Sequence, residues 1–316
     1  MNIPIPIPAA INLAIGAVAL SVDLVCLWAA SHTSEPFVVA VSALVFACAN
    51  NTVFCLLHEC VHFGFHSSRW VNEAAGSVFA AFFPTALTIQ RVSHFGHHRR
   101  NRTDLELYDY YLPHESRWLK TYWIYCLLTG LYWAVIPVAG VLYLFFPFAF
   151  RSGPLRSGPA RWWGFEEFVR DIAAQPIARV WPQALFTVCL QVSMWRLLDL
   201  SWARVLLCYG AFGVAWSSLQ YTDHAWSPRD VYEGAWNLRV WTVAQTVLLN
   251  YNLHLAHHRR PDVPWIHLPK FVKPGDAAPS FSSIYWPLWR GAAPAPPGAG
   301  PAPLPPGAFR TSESRP

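Results

Sequence analysis

Two apolar runs of membrane-spanning length, Ala9 to Ala30 and Phe37 to Leu57, constrain what this chain folds into more than any other feature of it. About 20 apolar residues in a helix cross the hydrocarbon core of a bilayer. The first run carries one charge, Asp23, and the second has Asn50 and Asn51 as its polar exceptions. Composition agrees with lipid as the solvent. Hydrophobic residues make up 54% of the 316-residue chain and charged residues 13%, about half the share usual in a soluble domain. The opening stretch, MNIPIPIPAA, has no basic n-region and no convincing cleavage site, so the first run is expected to stay as an anchor.

Polarity follows from the loops. Ser31 to Pro36, between the two runs, has no Lys or Arg, whereas His58 to Lys120 carries Arg69, Arg91, Arg99, Arg100, Arg102, Arg117 and Lys120. The positive-inside rule places that basic stretch in the cytoplasm. Further on, Ala74 to Ile89 is short, apolar and interrupted by Pro84. Tyr122 to Phe150 is long, with Pro137 near its middle, and Pro182 to Tyr221 is broken by Arg196, Asp199 and Arg204. The expected fold is all-α, a polytopic helical bundle of about four to six crossings with a histidine-rich cytoplasmic cap. Residues 1–290 form the membrane domain. Residues 291–316, rich in Pro, Ala and Gly, have little to bury and are expected to be disordered. The net charge of +5 comes mostly from arginines near the histidines, which favours no nucleic-acid partner. Seven cysteines without a C-x-x-C pair fit buried packing residues in a reducing setting.

Nine of the thirteen histidines fall into four clusters: His58/His62, His94/His97/His98, His224, and His254/His257/His258. Imidazole suits iron, zinc and copper, and nine rings are too many for one tetrahedral zinc. They suit two metal ions with open positions. His58 and His62, four apart, share a helix face, as do His94/His98 and His254/His258. Adjacent rings such as His257 and His258 diverge by about 100° on a helix, so one pair can serve two neighbouring metals. His66 lies about 12 Å along a helix from His58, long for the same centre. His32, His114 and His267 are isolated and read as exposed or interfacial.

HECVH also fits the H-E-x-x-H zinc protease pattern, with Glu59 as base. That reading leaves seven clustered histidines unexplained, the metzincin third position is Ser68, and no Asp-Gly dipeptide is present. A membrane metal transporter is the non-enzyme alternative; it calls for ionisable groups deep in several spans, whereas these histidines sit at the ends of apolar runs.

HECVH, HFGHHRRN and NYNLHLAHHRRPDVPW together resemble the three histidine boxes of the membrane fatty acid desaturase family, over about Leu57 to Pro269. The resemblance implies a diiron centre on the cytoplasmic side of a helical bundle. It also implies dioxygen as co-substrate, a fatty acyl substrate, and an additional ligand, His224, from YTDH, with Gln220 as a water-holding amide. The first box has Glu59 where many desaturases have Asp. Carotenoid and lipid hydroxylases and ketolases share the boxes, so hydroxylation or ketolation stays open beside desaturation. Glu59, Asp104, Asp109, Asp223 and Asp262 are candidates to orient ligand rings, and Asn101 a polar neighbour. With no fused cytochrome, flavin fingerprint or iron–sulfur motif visible, a separate donor such as a ferredoxin is expected. Arg99, Arg100, Arg102, Arg259 and Arg260 can dock either that donor or lipid phosphate. The expected location is a bacterial inner membrane.

Overall fold

The computed structural model describes residues 5–305 and residue 308. Where the first apolar run was expected, a helix α1 covers Ala9–Ser31, and the second run forms α2, Pro36–Val61. They pack as an antiparallel hairpin. Their outward surfaces stay apolar and exposed, with Val18 at 65% and Leu44 at 65% exposure, as a lipid-facing surface requires. These two helices are long and apolar enough to cross a membrane; a bent pair further on makes a third candidate if taken as one span.

The apolar stretch around Pro84 splits into α3 (Arg69–Phe82) and α4 (Leu87–Arg100). After α4 comes a two-residue strand β1 (Tyr110–Tyr111), then α5 (Arg117–Thr129) and α6 (Leu131–Phe145). The long run Tyr122 to Phe150 bends at Gly130, and Pro137 sits inside α6. The two halves meet at 93°. Gly130 has φ +85°, and a Cβ there would stand 2.6 Å from the backbone nitrogen of Val214. Gly130→Ala is therefore expected to destabilise the protein by at least about 1–2 kcal/mol, the cost of a left-handed L-residue alone. An unchanged thermal midpoint in detergent would refute this account of the bend.

A single turn α7 (Gly153–Leu155) and α8 (Glu166–Ala173) follow, then a second hairpin, α9 (Ile177–Leu197) and α10 (Trp202–Thr222). The charges expected to interrupt this run mark its turn, where Asp199 adopts φ +47°. Arg179, Arg196 and Arg204, with several glutamines, make these two helices less apolar than α1 and α2. Ser201 N donates to Ser31 Oγ at 3.1 Å, so the turns of both hairpins lie at one end of the bundle. The chain finishes with three short helices, α11 (Thr242–Val247), α12 (His254–Arg259) and α13 (Phe281–Leu288), and a strand β2 (Ala293–Pro294) parallel to β1.

The proline-rich tail does not leave the body at residue 291. Ala293 and Ala295 donate backbone N–H groups to Asp109 and Tyr111, and Leu304 N donates to the Arg99 carbonyl at 2.9 Å. Proline presets an extended backbone and removes donors, so such a segment is laid along a loop at small entropic cost. Residues 306–316, apart from Ala308, lie outside the described residues.

Candidate metal centre

At the opposite end from the two turns, α2 stops at Val61 with carbonyls that have no helical partner, as every helix end does. α4 supplies the donors. Arg91 reaches the carbonyls of Cys60 (3.0 Å) and Val61 (3.3 Å), and its guanidinium pairs with Glu73 at 2.8 Å. Asn72 from α3 donates to the same Cys60 carbonyl. A cation at a helix C-terminus is favoured by the dipole as well. This clamp holds the first and second histidine clusters side by side. Beneath them, Phe54 packs on Phe83, Trp216 and Tyr251 with centroids 4.9 to 5.7 Å apart. That aromatic floor joins α2, the α3–α4 link, α10 and the loop before α12.

The third cluster is held by carboxylates. Arg259, at the end of α12, pairs with Glu233 and with Asp276 at 2.8 Å, and Asn237 Oδ1 accepts the Ala256 N–H. Past α10, His224 Nδ1 donates to the Gly234 carbonyl at 2.8 Å. Gly234 cannot carry a side chain: its Cβ would lie 2.2 Å from the Asp230 carbonyl and 2.4 Å from Arg102.

All nine clustered imidazoles converge. His58, His62, His94 and His257 form one group able to hold a metal ion, and His97, His224, His254 and His258 form a second; within each, the ligand atoms lie within 4.8 Å of one another. His98 stands between them. Its Nε2 is 3.0 Å from His94 Nε2 and 3.0 Å from His257 Nε2, and its ring centroid is 4.4 Å from that of His258. The doubled residues divide as helix geometry requires, His257 to the first group and His258 to the second. His66 belongs to neither group and accepts the Ser68 N–H. His32 and His267 also lie outside, bonded to the carbonyls of Trp28 and Pro6.

The donor set fits a pair of metal ions. Nε2 atoms face one another at 3.0 to 3.3 Å between His58 and His94, His97 and His258, and His254 and His258. A neutral ring has one proton for two nitrogens, so a ring facing two others through one atom cannot satisfy both by hydrogen bonding. Neighbouring ligands at about 2.0–2.1 Å from one ion would stand at similar separations. His62 Nε2 is buried without a hydrogen-bond partner. Burial lowers the pKa of His94, His98, His224, His254, His257 and His258 well below the ordinary imidazole value, which keeps them in the neutral, metal-binding form.

Of the five carboxylates expected to orient these rings, only Asp223 lies beside them, with its oxygens 3.8 Å from His224 Nε2 and 3.6 Å from His254 Nδ1. Burial raises its carboxyl well above the usual range. Glu59 accepts the Trp265 N–H, Asp104 pairs with Arg229, Asp109 with Arg102, and Asp262 with Arg260. The carboxylate that does bind a ring was not anticipated. Glu106 accepts from His97 Nδ1 at 2.5 Å, which leaves Nε2 for the centre. Burial works against its charge, but His97 and Arg100 beside it hold its pKa below the ordinary carboxylate value. It sits nine residues past His97 on a loop, where no spacing rule reaches it. Asn101 contacts His258 Nδ1 at 3.4 Å. The five arginines expected to face a partner all pair within the chain: Arg99 and Arg100 with Asp171, and the others as already described.

A cavity of about 190 Å³ opens against both groups, with His94, His97, His224 and His254 in its wall. Its remaining lining is mainly apolar, including Val135, Ile136, Phe168 and Trp216, and Gln220 stands beside them.

Apolar helices bearing two adjoining imidazole groups define a membrane protein with a candidate dinuclear metal site. Residues 35–289 match the family model described as fatty acid desaturase, and the chain belongs to that family. No curated protein matches the chain closely.

Proposed function

We propose that the protein is a membrane diiron oxidoreductase that places a double bond in a fatty acyl chain, using dioxygen and electrons from a separate donor such as a ferredoxin. The observation that carries this reading is a cavity, apolar over most of its wall, that contains imidazoles of both groups beside Arg100, Glu106 and Glu167. His58, His62, His94 and His257 would hold one iron, His97, His224, His254 and His258 the other, with His98 between them. Bound there, a pair of irons would supply the oxidising power that hydrogen removal from an unactivated methylene needs and that no side-chain acid or base has.

The protein's own part is placement and shielding. Val135, Ile136, Phe168 and Trp216 hold an alkyl chain against the histidines and displace water from it. Gln220, whose Oε1 accepts the Tyr251 hydroxyl at 3.3 Å, brings a polar group into that wall. Glu106 and the Gly234 carbonyl fix which nitrogen of His97 and His224 faces the centre, and Asp223 stands 3.6 Å from His254 Nδ1. Glu106→Gln is expected to weaken metal retention by about 10–100-fold while the fold persists. Residual iron after dialysis against a graded chelator measures it, and wild-type retention would remove Glu106 from this role.

Four crossings, α1, α2, α9 and α10, are part of the reading, with the α5–α6 elbow entering the bilayer edge without traversing it. Its support is the meeting of both hairpin turns at the end remote from the histidines, and the length of α9 and α10, about 31 Å each. The arginine-rich segments beside the histidines support a cytoplasmic location for that end, and a bacterial inner membrane is part of the same reading.

Expression in a bacterial host lacking such enzymes, followed by mass spectrometry of lipids and pigments, tests the reaction. New monounsaturated chains are expected. Hydroxylated chains, or altered carotenoids, would replace the assignment with hydroxylation or ketolation on the same scaffold.

A further inference from the structure

A second, larger cavity of about 690 Å³ lies on the other side of α10 from the metal centre. Trp216 and Gln220 face the centre, whereas Ala215, Ser218 and Leu219 of the same helix face this groove. Its opposite walls are α2 at Ala47 to Asn51, α11, and the start of α13. The volume falls within the usual range of about 300–1,000 Å³ for small-molecule sites. Nearly all of the lining is apolar or small. The single charged residue in it is Arg239, with no carboxylate in the wall and no ion pair to Arg239 among the described residues. The hydroxyls of Ser280 and Ser282, 3.2 Å apart, stand at the same rim.

The groove has a wet end and an oily end. α11 is pinned to α2 by the Thr52 hydroxyl donating to the Val247 carbonyl at 2.8 Å. Trp241 and Val243, at its start, are 88% and 76% exposed, an arrangement suited to a short helix lying in the headgroup boundary. On α2 the groove is lined by Ala47, Cys48 and Asn51, near the middle of that helix. A cation and hydroxyls at the boundary with an alkyl-sized cleft below them match an amphiphile with an anionic head.

We propose that this groove is a binding site for an anionic phospholipid of the histidine-side leaflet, its phosphate on Arg239 and the Ser280 and Ser282 hydroxyls, one acyl chain between α2, α10 and α11. The site is separate from the catalytic cavity. It relies on the four-crossing arrangement for its depth, not on the reaction proposed above.

Native mass spectrometry of the full-length protein in detergent, titrated with phosphatidylglycerol or with phosphatidylcholine of the same chains, tests the site without reference to product. One phosphatidylglycerol adduct is expected, favoured over phosphatidylcholine by about fivefold, as one basic residue at an anionic surface provides. Arg239→Gln should erase the preference, and Ala244→Trp or Ser218→Trp, filling the groove from opposite walls, should remove the adduct. Each variant must keep the wild-type elution volume and iron content. Equal binding of the two lipids by the wild type, a preference that survives Arg239→Gln, or an adduct that survives both filling variants would overturn the proposal. Loss of desaturation with the lipid preference intact would count against the reaction alone.

Discussion

Replacing His257 by alanine is expected to abolish product and to release about half of the bound iron. The ring is not peripheral. Its Nε2 lies 3.0 Å from that of His98, and its centroid lies 4.5 Å from His58 and 4.7 Å from His62. Without it, the first group keeps three imidazoles, while His97, His224, His254 and His258 keep their partners. Product loss should exceed about 100-fold, the upper end for a change outside the ligand shell. Iron analysis on purified protein, paired with lipid mass spectrometry of the expressing cells, reads both effects. Full iron with retained product would exclude His257 from the centre. His66→Ala is the control, and both readings should stay at wild-type levels.

The second large effect concerns stability. Arg102 and Asp109 form an ion pair at 2.6 Å in which neither side chain is exposed. Asp109 also accepts the Tyr221 hydroxyl at 2.6 Å and the Trp226 N–H at 2.7 Å, and Arg102 donates to the Ser227 carbonyl. These bonds bind the loop after α4 to the segment that carries His224. Asp109→Ala leaves a guanidinium buried without its counter-charge, at a cost of about 3–5 kcal/mol. The double substitution Arg102→Met with Asp109→Leu removes both charges and should recover much of that loss, because paired apolar replacements avoid the desolvation cost. Denaturant unfolding in detergent should rank wild type and the double variant above Asp109→Ala. A double variant no better than the single one would mean that hydrogen bonds to the backbone, rather than charge balance, hold the loop.

Local pattern carried the reading of this sequence a long way. α1 begins at Ala9 and α2 at Pro36, within one residue of the apolar runs that announced them. Helical spacing matches the approach of His98 to His94, Nε2 to Nε2 at 3.0 Å, and the parting of His257 from His258 between the two groups, because a helix repeats over three or four residues. Features that depend on distant segments were not legible. The bend at Gly130 answers to the approach of Val214, more than eighty positions later. Pro137, near the middle of the same run, lies within α6. Arg99 and Arg259 read as docking residues because their partners, Asp171 and Asp276, come from segments that no period connects to them. The tail was judged by its composition, which describes how little it buries but not the loop edge that receives it.

That receiving edge also makes the protein's orientation measurable. β2 pairs with β1, and Leu304 is tied to the last turn of α4 through Arg99, so anything joined after Ala308 emerges on the histidine face. An epitope or fluorescent reporter fused there doubles as a compass needle. Protease added to inverted vesicles should cut it and protease added to intact spheroplasts should not, which gives the sidedness of the metal chemistry from a label far from any ligand.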